Sequence, residues 1–330
     1  MNSSVESRTN DTYHNKTILF TGSSGYLSSS LINKLKNIDC RIVRLSRKDS
    51  HIPVIGRANF VNLSGNLDDL NVWVKAIKDV DIIYHFSAQT SVYIANSDPI
   101  KDVFFNLIPT INLLEACRQS KKTPTILYSG STTQVGLPQV NPVNESFLDK
   151  PISIYDIHKI TSENYIEYYS SIGEINGCVL RLSNVYGPGV LSCNQDRGIL
   201  NKMIINALKG KTLTVYGNGD FIRDYIYVDD VLDAFIKATA EIKNTKNNHY
   251  IIGTGKGHQV NEVINLIARK VSLVNAKKIS VENIDIPNNL SPIEFRNFIA
   301  DSSEFSKITG WRAKYNLSEG VDKTISYFNK

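Results

Sequence analysis

The run Thr17-Ile18-Leu19-Phe20-Thr21 passes directly into Gly22-Ser23-Ser24-Gly25-Tyr26-Leu27-Ser28, which opens a helical pattern at 25–37. A strand, a glycine turn and a helix in immediate succession make a βα unit, and the same rhythm recurs downstream. Further strand-like runs are Arg41–Leu45, Asn59–Asn62, Asp81–Phe86, Thr125–Ser129, Gly177–Leu182 and Tyr250–Ile252, with helix-like stretches at 69–79, 99–120 and 155–172. Pro124 stands just ahead of Thr125, where its missing N–H costs a ladder little. Short buried strands alternating with helices predict an α/β fold, a doubly wound parallel sheet with helices on both faces.

After about residue 185 the rhythm breaks. Loops bearing Gly187-Pro188-Gly189 and Gly217-Asn218-Gly219 alternate with helices near 197–209, 229–242, 260–270 and 317–328. We expect a first unit over 16–184, rejoined by about 224–256, and a smaller, mostly helical unit from 185–223 and 257–330. Residues 1–15 are polar and unpatterned and are expected to be a disordered tail.

A hydrophobic fraction of 42% with 21% charged residues suits a globular chain. The net charge is +5 with the cations scattered, and the run Arg44–Lys48 is too short for a polyanion-binding arm. Nucleic acid and membrane surfaces are therefore poor partners, and small anionic ligands remain open. Cys40, Cys117, Cys178 and Cys193 form no CxxC pair, which predicts reduced thiols in a cytoplasmic protein, with neither disulfide nor zinc. The N-terminal MNSSVESRTNDTYHNK has no apolar core, so no signal peptide is expected, and no apolar run is long enough to span a bilayer. The histidines show no ligand spacing, and no metal is expected.

In the first loop Gly22 can make the tight turn, and Gly25 lets backbone N–H groups approach a pyrophosphate at the helix N-terminus. Ser28 stands where a third glycine is usual, small enough to keep helix and strand close. At the end of the second strand a carboxylate would select NAD, whereas a cation accommodates the 2′-phosphate of NADP. Here the chain reads Arg44-Leu45-Ser46-Arg47-Lys48, so Ser46 and Arg47 favour NADP(H) over NAD(H). A solvated basic loop is the competing reading.

Tyr155 and Lys159 fall one helical turn apart on one face. An ammonium beside a phenol favours the phenolate, which can exchange a proton with an alcohol oxygen. The strand Thr125–Ser129 runs out into Gly130-Ser131-Thr132-Thr133, which offers a hydroxyl to the same oxygen. A helical surface pair is the competing reading of Tyr155 and Lys159.

At this point the chain resembles the extended short-chain dehydrogenase/reductases, the nucleotide-sugar epimerase/dehydratase group with a Rossmann sheet. The resemblance runs from Lys16 to the C-terminus. It rests on TGSSGYL at 21–27, the strand Asp81-Ile82-Ile83-Tyr84-His85-Phe86-Ser87-Ala88, Asn106 before Leu113-Leu114-Glu115-Ala116, and Tyr155 with Lys159. It continues through Leu180-Arg181-Leu182-Ser183-Asn184-Val185-Tyr186-Gly187-Pro188-Gly189, Val215-Tyr216-Gly217-Asn218-Gly219-Asp220, Arg223-Asp224-Tyr225, Val228-Asp229-Asp230 and Gly310-Trp311. The resemblance implies Ser131, Tyr155 and Lys159 as a catalytic triad. Tyr155 would be the acid/base, Ser131 the orienting donor, and Lys159 the holder of the nicotinamide ribose. Ser24, Tyr26 and Leu27 would belong to the phosphate loop, and Asn66-Leu67 would stand where the family contacts adenine. Phe86, Ser87 and Ala88, with Asn106, Ser129 and Leu182, would line the cofactor trough. Asn184 and Arg223 match positions that hold a nucleotide diphosphate, and Arg296 resembles a second phosphate arginine. Thr132, Tyr216 and Arg197 are further substrate candidates. An ion pair with Asp224 or Asp229 is the competing reading of Arg223, and a surface salt bridge that of Arg296. The family also implies a homodimer through helices 99–120 and 155–172.

Members that dehydrate at C4 and C6 carry Thr-Asp-Glu at the strand end, where this chain has Ser131-Thr132-Thr133. Hydride transfer at hexose C4 is left. The Ser46/Arg47 signal tilts the expectation toward an NADPH-dependent NDP-4-keto-hexose reductase of deoxysugar or surface-polysaccharide biosynthesis. The alternative is an NDP-sugar 4-epimerase with tightly bound NAD(P), and a remote one is a non-catalytic NADP-sensing regulator. His158 is expected to be a packing or surface residue, Cys193 to be catalytic only at long odds, and Gly253-Thr254-Gly255-Lys256-Gly257 to be a turn.

Overall fold

The computed structural model describes residues 10–47, 53–191 and 198–330. In chain order the strands are β1 (Thr17–Thr21), β2 (Arg41–Ser46), β3 (Asn59–Ser64), β4 (Ile82–His85), β5 (Thr125–Ser131), β6 (Asn176–Leu182), β7 (Asn184–Tyr186), β8 (Leu213–Tyr216), β9 (Ile222–Tyr227), β10 (Asn248–Ile252), β11 (Gly257–Gln259) and β12 (Val281–Ile284). The helices that frame the site are α1 (Tyr26–Leu35), α2 (Ile108–Gln119), α3 (Ile154–Ser171), α4 (Ile199–Leu208), α5 (Val228–Ala240), α6 (Val260–Asn275) and α7 (Leu317–Phe328).

Seven strands form one sheet in the order β10-β6-β5-β4-β1-β2-β3. Every pairing in it is parallel. The chain moves outward from β1 to β2 and β3, then crosses back to β4 on the other side. That reversal opens a crevice at the carboxyl ends of β1 and β4, where doubly wound sheets bind ligands. Successive side chains on β1 serve opposite faces. Ile18 and Phe20 join Tyr84, Leu127, Leu180 and Phe235 on the side of α1 and α5. Leu19 joins Val43, Ile83, Ile126 and Val179 with Leu113, Leu114 and Ile166 on the side of α2 and α3. Both faces are dry, which is why these strands read as near-continuous apolar runs. A third cluster, with Leu200, Ile204, Val215, Ile264, Ile267, Val321 and Ile325, gathers α4, α6 and α7.

Two expectations need correction. Residues 10–13 of the expected tail form a helical turn, and Tyr13 is fully buried. Its hydroxyl lies 2.5 Å from that of Tyr84, which meets Thr239 Oγ1 at 2.7 Å. One aromatic ring anchors a stretch that composition alone marks as polar; residues 1–9 of the tail lie outside the described residues. The stretch 99–120 is also not one helix. Pro99–Asp102 passes through a π-helical turn, Val103–Leu107, before α2 begins. Pro109 lacks an N–H and its ring crowds the carbonyl one turn back, so the backbone widens just ahead of it.

Candidate active site

The phosphate loop sits in the crevice. Gly22 has φ of +57°, and a Cβ there would stand 3.0 Å from Ser87 Cα, so this turn needs glycine twice over. The two loops are stitched together by Thr21 Oγ1, which accepts the N–H groups of Phe86 and Ser87, each at 3.0 Å. Gly25 caps α1 with no side-chain hydrogen bond, leaving the first helical N–H groups to an anion. Ser28 is buried and donates to Thr21 O at 2.8 Å, which ties the helix to the end of β1.

A cleft of about 570 Å³ runs from this loop along the strand ends. It is lined by Gly22, Ser24, Gly25, Tyr26, Leu27, Ser46, Arg47, Leu67, Phe86, Ser87, Ala88, Ser129, Ser131, Tyr155, Lys159 and Leu182. Two expected cofactor residues lie outside it. Asn66 is exposed, and its carbonyl accepts from Asp69 N. Asn106 is buried behind the wall, where its amide accepts from Gln89 N at 2.9 Å and donates to Gln89 O and to Asp102. It shapes the loop after β4 rather than facing the cleft.

α3 begins at Ser153, whose hydroxyl accepts the Asp156 N–H. This start turns Tyr155 and Lys159 inward, and they are 6% and 2% exposed. Lys159 Nζ donates to Ser129 O at 2.8 Å and to Tyr128 OH at 3.0 Å. It lies 6.0 Å from the centroid of the Tyr155 ring. Burial pulls the Lys159 ammonium down to about 7, against the pull of Asp102 and Glu163. Ser131 ends β5 and caps the turn Thr132–Val135, with Oγ 2.7 Å from Thr133 Oγ1. His158 is buried on the far side, with Nδ1 2.6 Å from Asp102 Oδ2, and packs as expected.

A second cavity, about 770 Å³, adjoins the first, and Ser183, Val185 and Gly198 line both. Asn184, Tyr216 and Arg223 line it. Arg223 pairs with neither Asp224 nor Asp229. Its guanidinium donates to Glu294 O at 2.7 Å, to Ile222 O at 3.1 Å and to Arg296 O. Carbonyls aim the guanidinium without neutralising it, and burial lowers its pKa. Asp224 is used elsewhere. It holds the turn at Gly253-Thr254-Gly255 by accepting from Thr254 N and Oγ1 and from Gly255 N.

Thr132 and Arg296 depart from expectation, because each turns inward onto the other. Arg296 Nη1 donates to Thr132 O at 3.1 Å, its guanidinium lies 4.9 Å from the centroid of the Phe298 ring, and neither residue lines either cavity. The competing reading, a surface salt bridge, fits no better, since Arg296 is 5% exposed. Arg197 and Cys193 lie outside the described residues. Sequence reasoning missed Tyr93, Phe221, Tyr225 and Phe295 in the second cavity. Phe221 and Phe295 meet edge to face at 5.3 Å from segments far apart in the chain, so no local pattern marks them.

Cleft and cavity meet at Ser183, Val185 and Gly198, and Tyr155, Lys159 and Ser131 line the cleft, so an elongated ligand in the second can present one end to a cofactor in the first. The family model described as the NAD dependent epimerase/dehydratase family matches residues 18–253. UDP-glucose 4-epimerase of Mycolicibacterium smegmatis is 27% identical, over 94% of this chain and 97% of that protein. The crystal structure of UDP-glucose 4-epimerase from Thermotoga maritima with UDP-glucose is similar with a TM-score of 0.83, at 27% identity over 94% of this chain and 98% of that one. UDP-glucose 4-epimerase of Thermus thermophilus in complex with NAD gives a TM-score of 0.79 at 25% identity, over 94% and 98%.

Proposed function

The chain belongs to the NAD dependent epimerase/dehydratase family, and from that membership we propose that it is a nucleotide-sugar 4-epimerase that keeps its NAD(P) bound. The observation that carries this reading is that the cleft holding Tyr155, Lys159 and Ser131 shares Ser183, Val185 and Gly198 with the second cavity. The 4-epimerase activity of the relatives supports the epimerase over the reductase that Ser46 and Arg47 suggested. A regulator without catalysis has no support, because the chain keeps Tyr155 and Lys159 and buries both in the cleft.

The residues fit a dinucleotide. Gly22 leaves room for close approach, the uncapped start of α1 offers N–H donors, and Phe86 to Ala88 form the trough wall. A bound nicotinamide would supply the hydride acceptor, and then the hydride donor, for the sugar carbon. Tyr155 takes the O4 proton and later restores it, as a general base and then acid. Lys159, fixed by Ser129 O and Tyr128, favours the phenolate. Ser131 donates to O4 and steadies the charge that develops there. Arg223 and Asn184 hold the diphosphate in the second cavity, which leaves the keto sugar free to turn. On this reading 16–184 with about 224–256 hold the cofactor, and 185–223 with 257–330 hold the sugar nucleotide.

Ser46 and Arg47 line the cleft, and the Arg47 guanidinium lies 5.1 Å from the centroid of the Phe105 ring. A hydroxyl and a cation at that rim support NADP as the cofactor. Ile100, Phe104, Ile157 and Tyr168 are exposed on the neighbouring 99–119 and α3 helices. This apolar face supports a homodimer through those helices.

Incubation with UDP-glucose, UDP-galactose and their 2-acetamido counterparts tests the function. Interconversion of a 4-epimer pair with no net cofactor consumption is expected. Stoichiometric NADPH oxidation by a nucleotide-linked 4-ketohexose, with no interconversion, would make the enzyme a reductase.

A further inference from the structure

Behind Ser131 lies a buried carboxyl that the mechanism above leaves unused. Asp156 follows Tyr155 on α3 and has no exposed surface. Its Oδ2 accepts from the Ser153 hydroxyl at 2.7 Å, whereas Oδ1 is buried without a hydrogen-bond partner. Ser153 Oγ already accepts the Asp156 N–H at 3.1 Å, so its own proton is committed to Oδ2. The groups acting on this carboxyl come from three elements: Ser153 and the Ile152 backbone at the start of α3, Thr133 from the turn after β5, and the charge of Arg296 from the C-terminal segment. Thr133 is the strongest of those that oppose the effect of burial. Thr133 also grips Ser131, since the two hydroxyls are 2.7 Å apart and the Thr133 N–H donates to Ser131 Oγ at 3.3 Å.

We propose that Asp156 is a positioning residue which, as the neutral acid and through Thr133, fixes the Ser131 hydroxyl as a donor toward the sugar oxygen. This rests on the reading of Ser131 as that donor. An ionised carboxylate in a dry interior, with one oxygen outside any well-formed hydrogen bond, is costly. Burial accordingly pushes the Asp156 carboxyl above its usual range. The neutral acid carries its proton on Oδ1, the oxygen that Ser153 does not serve, and offers it to Thr133. Thr133 then donates to Ser131 Oγ, and the Ser131 proton has one direction left, the cleft. Ionisation reverses the chain: Thr133 donates to Oδ1 and draws the Ser131 proton inward. A purely local role is the rival, because an acid in the first turn of α3 under a Ser153 cap stabilises a helix start in any protein.

Two measurements decide between them. Carbon-13 aspartate NMR without substrate, with Asp156→Asn to assign the signal, is expected to show Asp156 titrating above ordinary carboxylates and shifting in Thr133→Val. In kinetics across pH, wild-type kcat should fall as pH rises through that same value. Asp156→Ala and Thr133→Val should each lower kcat about tenfold or more with KM and cofactor affinity kept. The double variant should be no worse than Thr133→Val, because both act on one chain. Asp156→Asn, whose amide donates to Thr133 but never ionises, should recover most of the loss and remove the alkaline fall. Thermal melts separate these effects from unfolding. An Asp156 that titrates as an ordinary carboxylate, or an asparagine variant as impaired as alanine, would overturn the proposal. A wild type that converts no nucleotide sugar would sink the functional reading instead, and the titration would still decide the state of Asp156.

Discussion

Lys159 Nζ and Tyr128 OH stand 3.0 Å apart in the wall of the cleft, both residues buried. This contact, with Ser129 O at 2.8 Å, gives the ammonium a fixed seat beneath Tyr155. Burying it has a thermodynamic signature. In the unfolded chain Lys159 keeps its proton up to about 10.5, but in the folded cleft only up to about 7. Between those values the unfolded chain binds more protons, so this group makes stability rise with pH across that window, by up to about 1.4 kcal/mol per unit. Lys159→Met removes the term. Melting temperatures should show the variant gaining on wild type at pH 7 and the advantage shrinking toward pH 10. A constant difference across the window would contradict a depressed Lys159.

Tyr155→Phe removes the acid/base and keeps the ring. Turnover should drop by about two to four orders of magnitude, the range of a lost general base. Cofactor affinity, followed by fluorescence titration, should stay within a few-fold. Retained turnover would rule out the phenol as the proton carrier.

Gly22→Ala places a methyl group 3.0 Å from Ser87 Cα at a φ of +57°. Strain of about 1–3 kcal/mol is expected there. Since the residue lines the cleft, NAD(P) affinity should fall along with the melting temperature. A variant that melts normally and binds normally would show that the loop has slack.

Arg47→Asp exchanges the rim cation for a carboxylate suited to a free ribose hydroxyl. The ratio of NADP to NAD affinity should fall by about tenfold or more, the scale of a charge-assisted hydrogen bond. An unchanged ratio would refute Arg47 as a 2′-phosphate ligand.

Much of this was legible in the chain because each element carried a local signal. The run Thr17–Thr21 is a strand as read, and Gly22 turns where two constraints demand glycine. Tyr155 and Lys159 share a face because helical spacing requires it. Other features depend on distant partners. Tyr13 is buried because the apolar cluster around Ile18 and Leu35 receives its ring and Tyr84, itself joined to Thr239, meets its hydroxyl. Arg296 turns inward because Thr132 and Phe298 receive it, and no spacing rule encodes that encounter. The polar chain from Asp156 to Ser131 escaped notice for the same reason. The residue beside Tyr155 gains meaning only when the turn after β5 folds against it.

In a 4-epimerase one hydride leaves sugar C4 and returns to the same carbon within one bound complex. A nucleotide sugar deuterated at C4 tests it most directly, followed by NMR of the product in the presence of unlabelled free cofactor. The account predicts the inverted 4-epimer with deuterium still at C4 and none in free NAD(P)H. Deuterium accumulating in released cofactor, with a 4-keto product, would contradict it.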